Sequence, residues 1–282
     1  MKLAIGTVQF GIPYGINNPT GIPSDGEITK IFTLANHAGI KILDTAPAYG
    51  NAEEKIAQLS NDQFRIVTKF SSVASSNELK KQILNSLEKL KLKCVYGYLA
   101  HNASNLIEFP ELWTLLLQAK QEGIIKKIGY SLYSTEQLEK LLDLNLVPDL
   151  VQLPYSILDR KFEKYLPQLK KSGTEIHIRS VFLQGLYFMK SSNLPQKLEP
   201  LKSNLEELHT CCEKYNISVG ALALNFVLEN PYIDHVVVGI DKSSQLEENI
   251  KMIQNWQQNK ELIEYTSQIN VTQKELLNPA NW

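Results

Sequence analysis

The sequence KILDTAPAYG at residues 41–50 is a short apolar run that ends in polar residues. The same arrangement recurs in IVTKF at 66–70 and in YLAH at 98–101. Short apolar runs bounded by turn residues are typical of strands buried in a parallel sheet. These stretches therefore predict buried strands with polar side chains at their carboxyl ends.

Along the whole chain, segments rich in Val, Ile and Tyr predict eight strands. They lie at about 3–7, 41–45, 65–69, 95–100, 127–131, 149–153, 175–181 and 235–239. Helical spacing of apolar residues separates them, as in Ile28, Ile31, Phe32 and Ala35 after Ser24, and in Leu84, Leu87 and Leu90 after Ser75. Alternating strands and helices predict a parallel sheet with helical crossovers.

The 282 residues form eight such units, and α/β barrels of this size are commonly one domain. A GxGxxG turn is missing after the first strand, which weakens the alternative of an open dinucleotide-binding sheet. We therefore expect the α/β class and a (β/α)8 TIM barrel in a single domain, 1–282. The connection from about 182 to 234 is the longest, and its loop at about 182–216 is expected to cover a ligand before a regular helix at 217–229.

The charge balance indicates small molecules as partners. The chain has 29 basic and 30 acidic residues. Without a basic run there is no electrostatic signal for nucleic acid or an anionic membrane. Met1 leads directly into a strand-like segment, and no apolar stretch approaches the length of a membrane span. The sequence thus predicts a cytoplasmic protein, and it does not indicate an oligomeric state.

Cysteines and histidines carry no clear chemical signal. Cys94, Cys211 and Cys212 are predicted to be reduced thiols, and the last two are expected to pack on an amphipathic helix. No Cys/His group has zinc-ligand spacing, so no metal is expected. The sequence names no partner for four histidines, which are His37, His177, His209 and His235.

Four polar residues fall at three successive strand ends: Asp44, Tyr49, Lys69 and His101. Each alone fits a structural role, but in a barrel all these ends open on one face. Reduction of a carbonyl leaves an alkoxide that needs a proton, and a phenol supplies it if its pKa falls from about 10 by roughly three units. Lys69 can lower the pKa of Tyr49, Asp44 can hold Lys69, and His101 can orient the carbonyl.

With these four residues at its strand ends, the chain resembles bacterial members of the aldo-keto reductase family over nearly its whole length. The resemblance extends to GTVQFG at 6–11, YGNAEE at 49–54, GYS at 129–131, VQLPYS at 151–156, RSVFLQG at 179–185 and GIDKSSQLEEN at 239–249. It implies that Tyr49 is the general acid, that Lys69 and Asp44 support it, and that His101 positions the carbonyl. It also implies that Glu53 helps to hold the loop after Tyr49.

The resemblance implies a nicotinamide cofactor and a set of residues that hold it. It implies that the nicotinamide end is held by Thr7, Ser131 and Gln152. It implies that the pyrophosphate is held by Ser180, Phe182, Leu183, Gln184 and Gly185, and the adenosine end by Gly239, Lys242, Gln245, Glu248 and Asn249. This last segment is expected to open the final helix.

The chain also departs from the family pattern. Leu132 replaces an asparagine, and Arg179 replaces a tyrosine that stacks on the nicotinamide. The planar guanidinium of Arg179 can stack on the ring as well, which should favour the neutral reduced cofactor.

At the adenosine end, Gln245 stands where many NADP-specific members have arginine. Lys242 and Ser243 at a helix start could still attract a 2′-phosphate, so NADPH/NADP+ is expected with a modest preference, and NADH remains possible. Phe10 and Tyr14 follow the first strand and are candidates to line the substrate pocket.

The function predicted is therefore an NADP(H)-dependent oxidoreductase that reduces an aldehyde, ketone or sugar-derived carbonyl, with a link to carbohydrate metabolism. An alternative is a nicotinamide-binding regulatory or sensor protein with little turnover. A third, an aldolase or isomerase with a Schiff base on Lys69, requires a neutral lysine, which the neighbouring Asp44 disfavours.

Overall fold

The computed structural model describes residues 1–15, 18, 21–60, 63–278 and 281–282. Eight parallel strands close into a barrel in chain order, so the predicted (β/α)8 fold is confirmed. The strands are β1 (Leu3–Gly6), β2 (Ile42–Asp44), β3 (Arg65–Phe70), β4 (Val95–Ala100), β5 (Ile125–Ser131), β6 (Leu150–Pro154), β7 (Glu175–Arg179) and β8 (His235–Gly239). All eight lie where the apolar segments predicted them.

Helices cover the outside of the barrel. They are α1 (Val8–Gly11), α2 (Asp25–His37), α3 (Ala52–Leu59), α4 (Ser76–Leu90), α5 (Ser104–Glu108), α6 (Leu112–Gln121), α7 (Thr135–Asp143), α8 (Leu166–Lys171), α9 (Lys202–Lys214), α10 (Val219–Leu228), α11 (Ser243–Gln254) and α12 (Lys260–Gln268). Short 3₁₀ helices lie at Glu163–Tyr165, Leu183–Phe188, Ser191–Asn193, Gln196–Leu201 and Lys274–Leu277.

Two helices show how local sequence sets their start. The side chain of Ser24 accepts a hydrogen bond from Glu27 N at the start of α2, and Ser75 accepts one from Glu78 N at the start of α4. Such caps satisfy amide groups that the helix itself leaves without partners. Both starts agree with the sequence prediction.

The buried face of α4 differs from the predicted one. The predicted stripe included Leu84, which is 53% exposed. Leu79 and Ile83 are buried instead, while Leu90 is buried as predicted. Ile83 and Leu84 are neighbours about 100° apart on a helix, so packing against the barrel decides between two equally apolar stripes.

The core has two layers. Inside the barrel, Ala4, Ile42, Val67, Leu99 and Leu150 form one apolar cluster. A larger cluster fills the space between strands and helices. Because side chains fill the barrel interior, a ligand binds at a mouth of the barrel and not inside it. The polar residues at the carboxyl ends of the strands indicate that this is the carboxyl mouth.

The seventh connection contains extra structure, as expected. Three 3₁₀ segments and α9 precede the regular helix α10. Cys211 and Cys212 lie buried on α9 with free thiols, and burial raises the pKa of Cys212 to about 12. Among the described residues, no helix combines the length and apolar character needed to span a bilayer.

Candidate active site

The four polar residues predicted at the strand ends meet at the carboxyl mouth of the barrel. Asp44 is the last residue of β2 and Lys69 lies one residue before the end of β3. His101 directly follows β4, and Tyr49 lies in the turn between β2 and α3. Parallel strands bring these positions to one face, as the sequence predicted.

Asp44 and Lys69 form a buried ion pair. The Lys69 ammonium lies 2.9 Å from Asp44 Oδ1 and 2.8 Å from Oδ2, and it also donates to the carbonyl of Thr45 at 2.9 Å. Lys69 is 1% exposed. Gln152 also contacts the Asp44 carboxylate, because its Nε2 donates to Asp44 Oδ1 at 2.8 Å. All three donors of the ammonium therefore have defined directions.

The charge state of Lys69 follows from this pairing. Burial alone would lower the pKa of Lys69, but the negative charge of Asp44, together with Tyr49, outweighs burial and raises it above the ordinary value. Lys69 is thus a permanent cation beneath the pocket. Formation of a Schiff base requires a neutral amine, and this environment favours the charged form of Lys69.

Tyr49 lies above this pair. The Lys69 ammonium is 5.3 Å from the centre of the Tyr49 ring, and the rings of Tyr49 and His101 meet edge to face with their centres 5.7 Å apart. Burial raises the pKa of Tyr49 above its ordinary value, while Lys69 lowers it in opposition. The sequence predicted a net fall toward neutrality. In this structure burial outweighs the charge of Lys69, so Tyr49 is a protonated phenol at neutral pH.

His101 is a neutral imidazole in this setting. Burial and, to a lesser degree, the charge of Lys69 lower its pKa to about 4. At neutral pH it therefore has one N–H donor and one acceptor nitrogen. A neutral donor beside a phenol is suited to holding a carbonyl oxygen.

Close backbone approach fixes the loop that carries Tyr49. Gly50 has φ of +60°, and a Cβ there would lie 2.4 Å from the carbonyl oxygen of Gly11. Glu53, at the start of α3, is buried and accepts a hydrogen bond of 2.7 Å from Thr68 of β3. The loop is therefore anchored to the end of α1 and, as expected for Glu53, to the strand that bears Lys69.

A cleft of about 610 Å³ runs from these residues to the first turns of α11. Predicted residues that line it are Thr7, Tyr14, Asp44, Tyr49, His101, Ser131, Gln152, Arg179, Ser180, Phe182, Gln184, Gly185, Gly239, Gln245, Glu248 and Asn249. The loop after β7 forms one wall, and three of its non-glycine residues, Ser180, Leu183 and Gln184, have φ of 64°, 44° and 54°. Backbone in this region is strained and is often found at functional sites.

Some predicted residues lie elsewhere. Phe10 is fully buried and packs edge to face on Phe32 at 5.6 Å, because its side chain points into the core between β1 and α2. Leu183 is also fully buried, although it lies in the positive-φ part of the loop after β7. Lys242 is exposed at the start of α11 and does not line the cleft. These three side chains therefore do not line the cleft.

Arg179 has partners that the sequence did not indicate. Its guanidinium lies 4.3 Å from the centre of the Tyr133 ring, and its NH2 group donates to the Leu132 carbonyl at 2.8 Å. Its buried Nε has no hydrogen-bond partner. One face of the guanidinium is thus taken by Tyr133, a cleft residue that sequence reasoning missed.

The adenosine segment also differs in detail. It opens α11, which α12 follows, so α11 is not the final helix as predicted. Asp241, missed by the sequence reasoning, lines the cleft and is 8% exposed. It stands inside the GIDKSSQLEEN motif, and acidic residues bind ribose hydroxyls in other dinucleotide-binding folds.

A second polar cluster lies at the opposite, amino-terminal end of the strands. His177 Nε2 lies 2.7 Å from Glu175, and the rings of His177 and His235 are 4.9 Å apart. Glu175 also accepts bonds from Lys127 at 2.5 Å and from Tyr96 at 2.7 Å. The spacing of these residues along the chain gives no signal that they meet.

The cleft fits an elongated nicotinamide dinucleotide. The ion pair, Tyr49 and His101 lie at one end and the start of a helix at the other, which suits a reactive ring and a distant nucleotide. Buried polar atoms without partners, Arg179 Nε and Asp241 Oδ1, lie at residues that line the cleft. A ligand rich in hydroxyl and phosphate groups would supply those partners.

Known proteins resemble this chain in sequence and in fold. The chain is 25% identical over 259 residues to the NADH-specific methylglyoxal reductase of Escherichia coli (strain K12), covering 77% of this chain and 79% of that protein. It is 27% identical over 278 residues to the L-galactose dehydrogenase of Arabidopsis thaliana, covering 89% and 85%. An aldo-keto reductase structure from Bacillus halodurans in its holo form has a TM-score of 0.77 at 20% identity, covering 97% and 94%.

The family model described as the aldo/keto reductase family matches residues 2–271, nearly the whole chain. This match includes every strand of the barrel and all four residues at its carboxyl mouth. The chain belongs to the aldo/keto reductase family.

Proposed function

We propose that this oxidoreductase reduces an aldehyde, ketone or sugar-derived carbonyl to an alcohol with a reduced nicotinamide dinucleotide. The observation that carries the proposal is the buried Lys69–Asp44 pair directly beneath Tyr49 and His101. An ion pair with side chains 1% exposed at Lys69 and 5% exposed at Asp44 is costly to build for structure alone, because both charges lose their hydration. A reaction that needs a fixed positive charge beneath a phenol explains its presence.

Tyr49 delivers the proton. The reduced nicotinamide, when bound, supplies hydride to the carbonyl carbon. The carbonyl oxygen then takes the proton from Tyr49 Oη, and the resulting phenolate is stabilised by the Lys69 ammonium, which Asp44 keeps in place. Water returns the proton to Tyr49 before the next turnover.

His101 orients the carbonyl. Its neutral imidazole donates one hydrogen bond to the carbonyl oxygen and adds no charge that would compete with Lys69. The edge-to-face contact with Tyr49 keeps the two donors on the same side of the cleft. Substrate is thereby held with its oxygen toward the proton source.

The residues proposed to hold the cofactor are those that line the cleft. Ser131 and Gln152 face the nicotinamide end, Ser180 and Gln184 the pyrophosphate, and Gln245 and Asn249 the adenosine end. NADPH was the sequence-based expectation, whereas one relative is NADH-specific by name. The proposed function therefore requires a nicotinamide dinucleotide and does not itself choose between NADH and NADPH.

Substrate class is proposed from the relatives and from the size of the cleft. Relatives are named for methylglyoxal, for L-glyceraldehyde 3-phosphate and for L-galactose. All three compounds are small aldehydes, and two of the three carry hydroxyl groups. We propose such a compound, including sugar-derived carbonyls, as the substrate of this protein.

The test is a panel of sugars, simple aldehydes and ketones assayed for oxidation of NADH and NADPH, with wild type and Tyr49→Phe run side by side. Substrate-dependent oxidation by wild type alone supports the proposal. If either cofactor binds tightly and no carbonyl is reduced at high enzyme concentration, the reductase proposal fails and the sensor alternative replaces it.

A further inference from the structure

The two ends of the cleft differ in charge. Near Tyr49 the lining includes Arg179, a cation. Near α11 the charged residues that line it are Asp241 and Glu248. Among the cleft-lining residues that the structure describes, no lysine or arginine lies at this second end, and the neighbouring Lys242 is exposed and does not line the cleft.

The start of α11 already has an anionic partner. Glu27 of α2 accepts a hydrogen bond of 2.6 Å from the backbone N–H of Ser243 and another of 2.6 Å from its hydroxyl. These are the donors that would otherwise bind a phosphate at this helix start. Both hydrogen bonds lower the pKa of Glu27, so the carboxylate is ionised at neutral pH.

Asp241 lines the same end of the cleft. It is 8% exposed, and its Oδ1 has no hydrogen-bond partner. Its backbone N–H donates to Gln245 Oε1 at 3.1 Å, which fixes the turn and engages the Gln245 oxygen. A buried carboxylate oxygen without a donor is unfavourable unless a ligand supplies one.

A ribose hydroxyl and a phosphate respond to this arrangement in opposite ways. The hydroxyl is a donor and satisfies Asp241, as acidic residues do in other dinucleotide sites. The phosphate has no proton to donate at neutral pH and adds about two negative charges. It would meet the carboxylates of Asp241 and Glu248, and the Ser243 donors are already bound to Glu27, whose other oxygen lies 3.5 Å from the exposed Lys30 ammonium.

We propose that Asp241 and Glu27 make this protein selective for NADH over NADPH. Asp241 accepts a hydrogen bond from the free ribose hydroxyl, and Glu27 blocks and repels the 2′-phosphate. This inference rests on the proposed function, which places a nicotinamide dinucleotide in the cleft. It reverses the modest NADPH preference expected from Lys242 and Ser243.

The experiment measures dissociation constants of NADH and NADPH by calorimetry for wild type and three variants. Wild type is expected to bind NADH at least about tenfold tighter, the scale of one hydrogen bond to a charged group. Glu27→Ala should strengthen NADPH binding several-fold and leave NADH unchanged. Asp241→Asn should weaken NADH more than NADPH and so reduce the ratio.

Asp25→Asn is the matched control. It removes a carboxylate from the same turn of α2, where Asp25 pairs with Lys55 at 3.2 Å. This variant should keep the wild-type ratio, and melting temperatures of all variants check their folding.

Wild type that binds NADPH as tightly as NADH overturns the inference while leaving the proposed function standing. The same holds if Glu27→Ala changes both affinities equally. Failure to bind either dinucleotide removes the proposed function and this inference together.

Discussion

Lys69 is fully buried, and its ammonium is shared between Asp44 and the Thr45 carbonyl. We predict that Lys69→Met lowers kcat/KM by more than a hundredfold, because the phenolate of Tyr49 then forms without its counter-charge. Removal of one partner of a buried pair also destabilises the fold by about 3–5 kcal/mol. The double variant Asp44→Asn/Lys69→Met, which leaves no buried charge unpaired, should fold better and stay inactive.

Borohydride treatment separates this electrostatic role from covalent catalysis. Wild type incubated with substrate and borohydride should show no mass increase, since a charged lysine forms no imine. A reduced adduct on Lys69 in peptide mass spectrometry would move the protein to the aldolase class.

The low pKa of His101 predicts the shape of the pH profile. Since this pKa is about 4, the imidazole stays neutral from pH 5 to 8. The plot of kcat/KM for carbonyl reduction should therefore show no ionisation between pH 5 and 7 in wild type. An acid limb centred near 6.5, the ordinary pKa of histidine, would show that His101 titrates and that its assigned role is wrong.

Between elements, one hydrogen bond joins the loops on either side of the cleft. Gln184, after β7, donates to the Tyr14 hydroxyl, after β1, at 2.7 Å. Tyr14→Phe should raise the dissociation rate of the cofactor about threefold, because a partly exposed neutral hydrogen bond contributes roughly 0.5–1 kcal/mol. Stopped-flow release experiments measure this rate. An unchanged rate would mean that the two loops open independently of this bond.

Strands and helix starts could be predicted because their causes are local. Buried strands appear as apolar runs, and Ser24 and Ser75 cap the helices that follow them. Side-chain direction was harder: Phe10 and Leu183 lie next to the cleft in sequence, yet both point into the core. Local sequence places a residue near a site, while packing decides which way it faces.

The contacts that depend on distant residues could not be predicted from one sequence. Glu27 and Ser243 meet although 216 positions separate them, and the shared carboxylate is visible only when α2 and α11 pack side by side. Asp241, by contrast, lay within a motif that sequence reasoning had already marked. Its acidic side chain, rather than the lysine beside it, lines the cleft.

For the whole molecule, the polar cluster at the amino-terminal mouth predicts how stability depends on pH. Burial and the neighbouring His177 lower the pKa of His235 to about 4, below the ordinary 6.5. The neutral His235 side chain therefore contributes fully to the free energy of unfolding above about pH 6.5, and this contribution is lost as pH falls toward 4. Hydrogen bonds from His177, Lys127 and Tyr96 outweigh burial and keep the pKa of Glu175 below its usual range, so Glu175 stays ionised in this interval.

Urea unfolding at pH 7.5 and pH 5 measures this effect. Wild type should lose about 2 kcal/mol more unfolding free energy over this interval than His235→Phe, which keeps an aromatic ring and cannot titrate. Equal losses in both proteins would show that His235 titrates normally in the folded state.

The central claim is that hydride and proton reach a carbonyl at the site formed by Asp44, Tyr49, Lys69 and His101. The most direct measurement follows deuterium from C4-deuterated NADH into the alcohol product by mass spectrometry, with wild type and Tyr49→Phe. Wild type should give product with deuterium on the former carbonyl carbon. Tyr49→Phe should bind NADH as wild type does and retain less than about a tenth of kcat/KM, a loss above roughly 1.4 kcal/mol. Product without deuterium, or undiminished transfer by Tyr49→Phe, would contradict the account.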